Sequence, residues 1–168
     1  PTQVDLPNET RSMLTPSRDW KKSRTGEPWY PGDTANMSIG QGALTVTPLQ
    51  MAMLAASIAK NQVYSSPTIL KQSATQLLRR SPPQPLGLPV DIHKAIVEGM
   101  DRVVSPTGTA RAAIIEGVSV AGKTGTAQIN KAEGNLELAW FIGFAPVDDP
   151  QIAIAALVEG QELNQSFG

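Results

Sequence analysis

The chain has 168 residues, which suits a single domain, and it contains no cysteine, which excludes disulfides, thiolate metal sites and a cysteine nucleophile. Lysine and arginine number 14 against 15 aspartates and glutamates, and a net charge of -1 gives no case for binding nucleic acid or an anionic membrane. With one histidine and few clustered carboxylates, we expect no metal and no cofactor. No apolar run approaches the roughly 18 residues of a membrane-spanning helix. The chain begins at Pro1 without a methionine, and we interpret it as a piece of a longer protein.

The first 47 residues are rich in Pro, Gly, Asn, Thr and Ser and show no sustained period. This composition predicts mostly loop, with a short helical turn near Ser17–Lys22. A basic cluster in this region is interpreted as a solvated surface rather than a nucleic-acid patch: Arg18, Lys21, Lys22 and Arg24, with Trp20 among them.

A helix is predicted from Thr47 to about Lys60. Thr47 suits the N-cap, Pro48 suits the first helical position, and Gln50 completes a capping box. Because the segment is apolar nearly all round, we expect a central, buried helix. Ser57 lies near its end and is predicted to bond a helix carbonyl.

Residues 61–89 are predicted to form an irregular segment on the surface, with a short strand at Thr68–Leu70. The run from Ser81 to Pro85 contains three prolines. Proline lacks the N–H that helices and central strands need, so neither is expected there.

A second helix is predicted from an Asp91 cap to about Val104, with an apolar stripe opposite i, i+4 charge pairs. His93 lies on its polar side and is predicted to be a surface residue rather than a base or ligand. The sequence Thr107-Gly108-Thr109 is interpreted as the cap of a short helix through Ala113.

Three strands are predicted next: Val118–Gln128, Leu138–Ala145 and Gln151–Glu159. The second and third are apolar enough to be covered on both faces. Their short connections favour an antiparallel meander in chain order, which places the first strand at an edge, where it can pair with an extended peptide. The sequence therefore predicts an α/β fold of the α+β type, an antiparallel sheet flanked by helices. The third strand is expected to lack a partner strand that lies outside this chain.

The first of these strands contains the quartet Lys123-Thr124-Gly125-Thr126. Lys123 supplies positive charge, the two threonines supply hydroxyls, and Gly125 lets another backbone come close. These groups suit a peptide-like substrate that ends in a carboxylate. The quartet is similar to the K-T-G motif of the serine acyltransferases that react with penicillin.

Further motifs resemble the C-terminal half of a class B penicillin-binding protein transpeptidase domain, above all its elongation-type branch, penicillin-binding protein 2. In order, they are Leu6–Glu9, Gly26–Tyr30, Pro31–Gly42 with the following Thr-Pro-Leu-Gln helix, Ala121–Gln128, Ala139–Pro146 and Ile152–Glu159. The resemblance covers nearly the whole chain. It implies that residues 1–168 are the C-terminal portion of one transpeptidase domain with the penicillin-binding protein and serine β-lactamase fold.

The resemblance implies part of a peptidoglycan D,D-transpeptidase, which cross-links stem peptides by acyl transfer through a serine ester. The implied partners are stem peptides ending in D-Ala-D-Ala, β-lactam antibiotics, the upstream half of the same domain and a membrane glycosyltransferase, with no nucleic acid. The implied location is the periplasmic side of a bacterial inner membrane, with an N-terminal anchoring helix outside this chain. Lys123 would supply cleft charge and the Thr126 backbone N–H an oxyanion donor, while Lys123, Thr124, Gly125 and Thr126 would bind substrate.

The sequence departs from the family in its nucleophile. The family carries S-x-x-K and S-x-N upstream of K-T-G, and no S-x-N occurs here. One S-x-x-K occurs, from Ser57 to Lys60. We reject it because it ends a helix, whereas the family's serine opens one, and because it lies too near Lys123. The chain is therefore expected to hold no nucleophile and to be inactive alone.

Two alternatives stay open from the sequence. Gly117–Thr124 satisfies the P-loop expression G-x-x-x-x-G-K-[ST], although the strand before it and the long helix after it are not predicted. The other alternative is a non-catalytic module of the same fold that only recognises peptides or a partner.

Overall fold

The computed structural model describes residues 2–9, 15–71, 82–131 and 134–160. Within these ranges lie four α-helices, named α1 (Arg18–Thr25), α2 (Pro31–Ser38), α3 (Pro48–Ala59) and α4 (Val90–Val103), and a 3-10 helix at Arg111–Ala113. A small antiparallel pair is formed by β1 (Val63–Tyr64) and β2 (Gln84–Pro85). The main sheet is formed by β3 (Ala121–Lys131), β4 (Gly134–Ala145) and β5 (Ile152–Gly160).

The main sheet is an antiparallel meander in the order β3-β4-β5, so the predicted topology is confirmed. Its first strand begins at Ala121 rather than Val118, because Ile115 and Val118 close a turn through an isolated bridge just before it. Much of the predicted connection between the first two strands is itself strand, since β3 and β4 extend until Lys131 pairs with Gly134. The register pairs Lys123 with Ile142.

One face of the sheet packs on α3 and α4 and forms the core. Ile58 from α3, Met100 from α4, Ala121 from β3 and Phe144 from β4 are buried together. Burying a side chain such as Phe144 stabilises a fold by about 1.5–3 kcal/mol. This cluster therefore holds β3 and β4 against the two longest helices.

The opposite face of β5 is open, which corrects the prediction that both faces of this strand are covered. Ile152, Ile154 and Val158 project from that face and are 65%, 47% and 50% exposed. Within the described residues, β5 pairs with β4 alone. The helices of the described part lie against the other face, so no described segment covers these aliphatic side chains.

The predicted helix at residues 47–60 is confirmed as α3, together with its capping box. The Thr47 hydroxyl accepts a hydrogen bond from the Gln50 N–H at 3.1 Å, and Gln50 Oε1 accepts one from the Thr47 N–H at 2.8 Å. Its predicted burial is wrong in part, because Leu54 is 41% exposed. The residues turned to the sheet, among them Ala55 and Ile58, are buried.

The second helix, α4, begins earlier than predicted. It begins at Val90 after Pro89 as N-cap, so Asp91 lies in the first turn instead of capping it. Lys94 and Glu98 form the expected i, i+4 pair at 3.8 Å. His93 is a correction: its Nε2 is 2.8 Å from the Ile58 carbonyl oxygen, so this half-buried imidazole joins α4 to α3.

The first 47 residues are more regular than predicted. The helical turn near Ser17 is the full helix α1, whose N-cap Ser17 accepts from the Trp20 N–H at 3.1 Å. Helix α2 was not predicted, although Pro31 stands at its first turn and Asp33 accepts from the Tyr30 N–H at 2.7 Å. The strand predicted at Thr68–Leu70 is wrong, since these residues form no strand. Ser81, the first residue of the predicted proline run, lies outside the described residues.

Candidate active site

An open groove of about 230 Å³ runs beside the Lys123 quartet. The quartet and Ala127 form one side, Trp140 and Ile142 of β4 form the floor, and the opposite side comes from the segment between α2 and α3 and from the first turn of α3. The residues of that opposite side are Ile39, Gly40, Leu44, Val46 and Met51. The strand predicted to lie at an edge, where it can pair with an extended peptide, therefore borders an open groove.

The four residues of the quartet differ in the sheet face they share and in their exposure. Lys123 and Gly125 share a sheet face with Ile142 and Trp140, to which they are paired, and this is the face of the groove floor. Lys123, Gly125 and Thr126 are exposed, and Thr124 is half-buried. A charged side chain, an open glycine and main-chain groups thus border one channel.

Gly125 is not required by the packing of the sheet. A Cβ atom built there would lie 3.6 Å from the Trp140 Cβ, an ordinary contact. At Gly122, by contrast, a Cβ would lie 2.4 Å from the Phe141 ring, so that glycine is needed for packing. The missing side chain at Gly125 therefore keeps the groove wide instead of relieving a clash.

The outer edge of β3 carries main-chain groups that no strand pairs within the described residues. The Thr126 carbonyl accepts a hydrogen bond from Gln41 Nε2 at 3.3 Å, and the Thr124 carbonyl accepts one from Lys123 Nζ. In an antiparallel strand the N–H and C=O of one residue point to the same side. The N–H groups of Thr124 and Thr126 therefore point outward at this edge as well.

Thr109 is a residue of this site that the sequence reasoning assigned elsewhere. Its hydroxyl lies 3.3 Å from the Thr124 hydroxyl, and the 3-10 helix has Ala110 as its N-cap, so the predicted capping role of Thr107-Gly108-Thr109 is wrong. The loop turns tightly: a Cβ at Gly108 would meet the Val103 carbonyl oxygen at 2.1 Å. The only hint of this contact in the sequence is that Thr-Gly-Thr occurs twice, at 107–109 and at 124–126.

Helices α1 and α2 hold the Gln41 side of the groove together. Lys21 Nζ lies 2.7 Å from Asp33 Oδ2 and 4.6 Å from the centre of the Tyr30 ring. The Lys21 ammonium, and after it the Tyr30 N–H, hold the pKa of the Asp33 carboxyl below its ordinary value. Lys21 is thus engaged within the fold, which supports the interpretation of the basic cluster as ordinary surface.

The geometry excludes Ser57 as a nucleophile and Gly117–Thr124 as a P-loop. The Ser57 hydroxyl donates to the Met53 carbonyl at 2.8 Å, and the residue is only 1% exposed, so it is not placed to attack a substrate. Lys123 lies within a β-strand and not at the start of a helix, so the P-loop alternative is wrong. Within the described ranges, no three His, Asp or Glu side chains cluster to hold a metal ion.

Comparisons with known proteins agree with one another. The family model described as "Penicillin binding protein transpeptidase domain" matches residues 1–168. Peptidoglycan D,D-transpeptidase MrdA of Haemophilus influenzae is 34% identical over 95% of the chain, which spans 27% of that protein's length. The solved penicillin-binding protein PBP2 of Helicobacter pylori has a TM-score of 0.77 and 32% identity over 96% of the chain, which spans 29% of it. The same protein has been solved in complex with MreC, with a TM-score of 0.77 and 31% identity over 94% of the chain and 28% of the solved chain.

Proposed function

The chain belongs to the penicillin-binding protein transpeptidase family, and on that premise we propose that it forms the C-terminal portion of the transpeptidase domain of a peptidoglycan D,D-transpeptidase. The relative from H. influenzae carries that name. The chain spans about a quarter of that protein's length. The rest of the active site, including the nucleophile, then comes from an upstream part of the same domain.

The observation that carries this proposal is the free edge of β3 beside an open groove. A stem peptide ending in D-Ala-D-Ala is extended, has an N–H and a C=O at each peptide bond, and ends in a carboxylate. It can add to β3 as a further antiparallel strand, with its main chain on Thr126 and its carboxylate near Lys123 and Thr124. A β-lactam presents the same groups in a ring.

The reaction is acyl transfer in two steps. A serine hydroxyl from the upstream part attacks the carbonyl carbon of the penultimate D-Ala, the terminal D-Ala leaves, and the amine of a second stem peptide then attacks the serine ester. The Thr126 N–H points outward at the edge, where it can donate to the oxyanion that forms in each step. One such donor contributes about 2.7–4 kcal/mol in related acyl transfer. Lys123 supplies the positive charge of the cleft.

Location and partners follow from the same proposal. We place the protein on the periplasmic side of a bacterial inner membrane, where stem peptides are cross-linked, with a membrane anchor outside this chain and a glycosyltransferase as partner. No helix among the described residues is long and apolar enough to span a membrane. The H. pylori relative was solved with MreC, which makes an MreC-type protein a second partner to test.

The test is labelling by a fluorescent penicillin. The protein used carries this chain joined to the upstream part of its domain, and we expect covalent labelling that survives denaturation. The Ser57→Ala variant is expected to label equally, because Ser57 is buried against the Met53 carbonyl. Binding of a stem peptide without any labelling would instead favour the non-catalytic peptide-binding module.

A further inference from the structure

Gln41 lies in a short loop that aims its side chain at β3. The residue stands between Gly40 and Gly42, whose φ angles of 77° and 85° are readily adopted by glycine alone. The Gln41 N–H donates to the Asn36 carbonyl at 2.9 Å, and this ties the loop to the end of α2. The backbone of Gln41 is therefore anchored, while its half-buried side chain reaches the edge of a strand 85 residues away.

We propose that the Gln41 carboxamide is a removable cap on the edge of β3. Its Nε2 donates to the Thr126 carbonyl, and a bound peptide replaces this donor with a backbone N–H. The inference rests on the proposed function and adds a residue that competes with the substrate for one acceptor. No bond other than a hydrogen bond is made or broken.

The position of the carboxamide favours this exchange. A peptide that pairs with β3 brings its own N–H to about 2.9 Å from the Thr126 oxygen, on the outer side of the strand where Nε2 now donates. The two donors therefore compete for the same acceptor, and the shorter hydrogen bond of the peptide displaces Gln41. Its bond of 3.3 Å is longer than the usual range for an N–H···O bond, so little is lost when it breaks.

A cap of this kind also protects the strand. An uncovered edge strand pairs readily with other extended chains, and proteins commonly cover such edges with side chains or loops. Gln41 offers a neutral amide, which is the same donor that a peptide presents. It therefore covers the edge without introducing a charge that would repel the substrate.

The cap predicts a difference between two classes of β-lactam. A penicillin carries an acylamino group whose N–H can take the place of Nε2 on the Thr126 carbonyl. A carbapenem carries a hydroxyethyl group at the corresponding position and brings no such amide. Removing the cap therefore favours acylation by the penicillin relative to the carbapenem.

The test uses the Gln41→Met variant of the protein that contains this chain and the upstream part of its domain. Methionine keeps the length of the side chain and lacks the donor. We expect the ratio of the second-order acylation rate constants, penicillin over carbapenem, to rise about two- to fivefold, as suits the loss of one exposed neutral hydrogen bond. The matched control is Gln84→Met, since Gln84 Nε2 also donates to a backbone carbonyl, that of Pro82, at 3.3 Å.

An unchanged or lowered ratio in Gln41→Met, or an equal rise in Gln84→Met, overturns the cap. If the methionine variant fails to fold, Gln41→Asn is measured in its place. The asparagine carboxamide is one methylene too short to reach the Thr126 carbonyl. The proposed function fails separately: in that case the parent protein is acylated by neither class of β-lactam. A parent that is acylated, with a ratio that does not respond to Gln41, refutes the cap alone.

Discussion

β3 and β5 are the outer strands of one sheet, and their free sides differ in chemistry. The edge of β3 is polar: two of its carbonyls accept from Gln41 and Lys123, and the Thr124 hydroxyl meets that of Thr109. β5 instead presents a row of exposed aliphatic side chains on one face. A polar edge capped by side chains can be opened by a ligand, whereas an exposed aliphatic face gains most when another part of the protein covers it permanently.

The same sheet therefore serves two purposes. On the β3 side, the loop after α2 brings one polar group, the Gln41 carboxamide, to a main-chain acceptor at 3.3 Å, a contact long enough to exchange readily. On the β5 side, covering the aliphatic face would remove apolar surface from water, which is worth about 25 cal/mol per Å². We propose a substrate site at β3 and an intramolecular interface at β5, and the following changes test this difference.

The largest effect is expected from Lys123→Ala. Loss of the cation from the groove should slow acylation by a β-lactam about 30- to 1000-fold, equivalent to about 2–4 kcal/mol, because the carboxylate of the ligand loses its partner. The measurement is the rate of labelling by a fluorescent penicillin in the complete domain. Lys60→Ala is the control, since Lys60 is an exposed lysine at the end of α3. Normal labelling of the Lys123 variant would show that β3 is not part of the active site.

The next effect tests the β5 side through Ile154→Asp. If the upstream part of the domain covers this face, the change buries a carboxylate and should lower the free energy of unfolding of the complete domain by about 2–4 kcal/mol. The measurement is the midpoint of thermal or urea unfolding. Val90→Asp is a matched control, because Val90 is 81% exposed at the start of α4. Equal stability of the two variants would show that the face of β5 stays in water.

A smaller effect is expected from Thr109→Val. Valine keeps the shape and removes the hydroxyl that contacts Thr124, so the Thr124 side chain loses a contact that holds it in place within the quartet. We expect acylation to slow about two- to tenfold, in keeping with one hydrogen bond. Thr107→Val, in the same loop, serves as the control, and a similar loss in both variants would assign the effect to the loop rather than to Thr124.

The smallest effect is expected on stability at acidic pH, through the Lys21–Asp33 ion pair on the Gln41 side of the groove. Lys21 lowers the folded-state pKa of Asp33, so the pair contributes stability that is present above the unfolded pKa of about 3.9 and is lost as the pH falls through the folded value. Unfolding midpoints measured between about pH 5 and pH 2 should fall less steeply in Asp33→Asn than in the parent. Lys21→Met should flatten the curve in the same way. Parallel curves for all three proteins would contradict this assignment.

Much of the framework was predictable from sequence because its signals are local. The capping box of α3 joins residues three apart, and apolar runs between short connections suffice to predict an antiparallel meander. Helix α2 was missed because its Asn, Gly and Ser content resembles loop, while its cap depends on Asp33 bonding the Tyr30 N–H. His93 was misassigned because its partner, the Ile58 carbonyl, lies on another helix.

The sequence by itself determined the quartet, the strand that carries it and the absence of an S-x-N motif, since each is a property of neighbouring residues. Only the tertiary structure decided which residues line the groove beside that strand and which side chains from elsewhere in the chain reach its edge. Gln41 meets Thr126 across 85 residues, and Thr109 meets Thr124 across 15. Such contacts depend on how helices and strands pack, and packing brings together residues whose proximity no local pattern records.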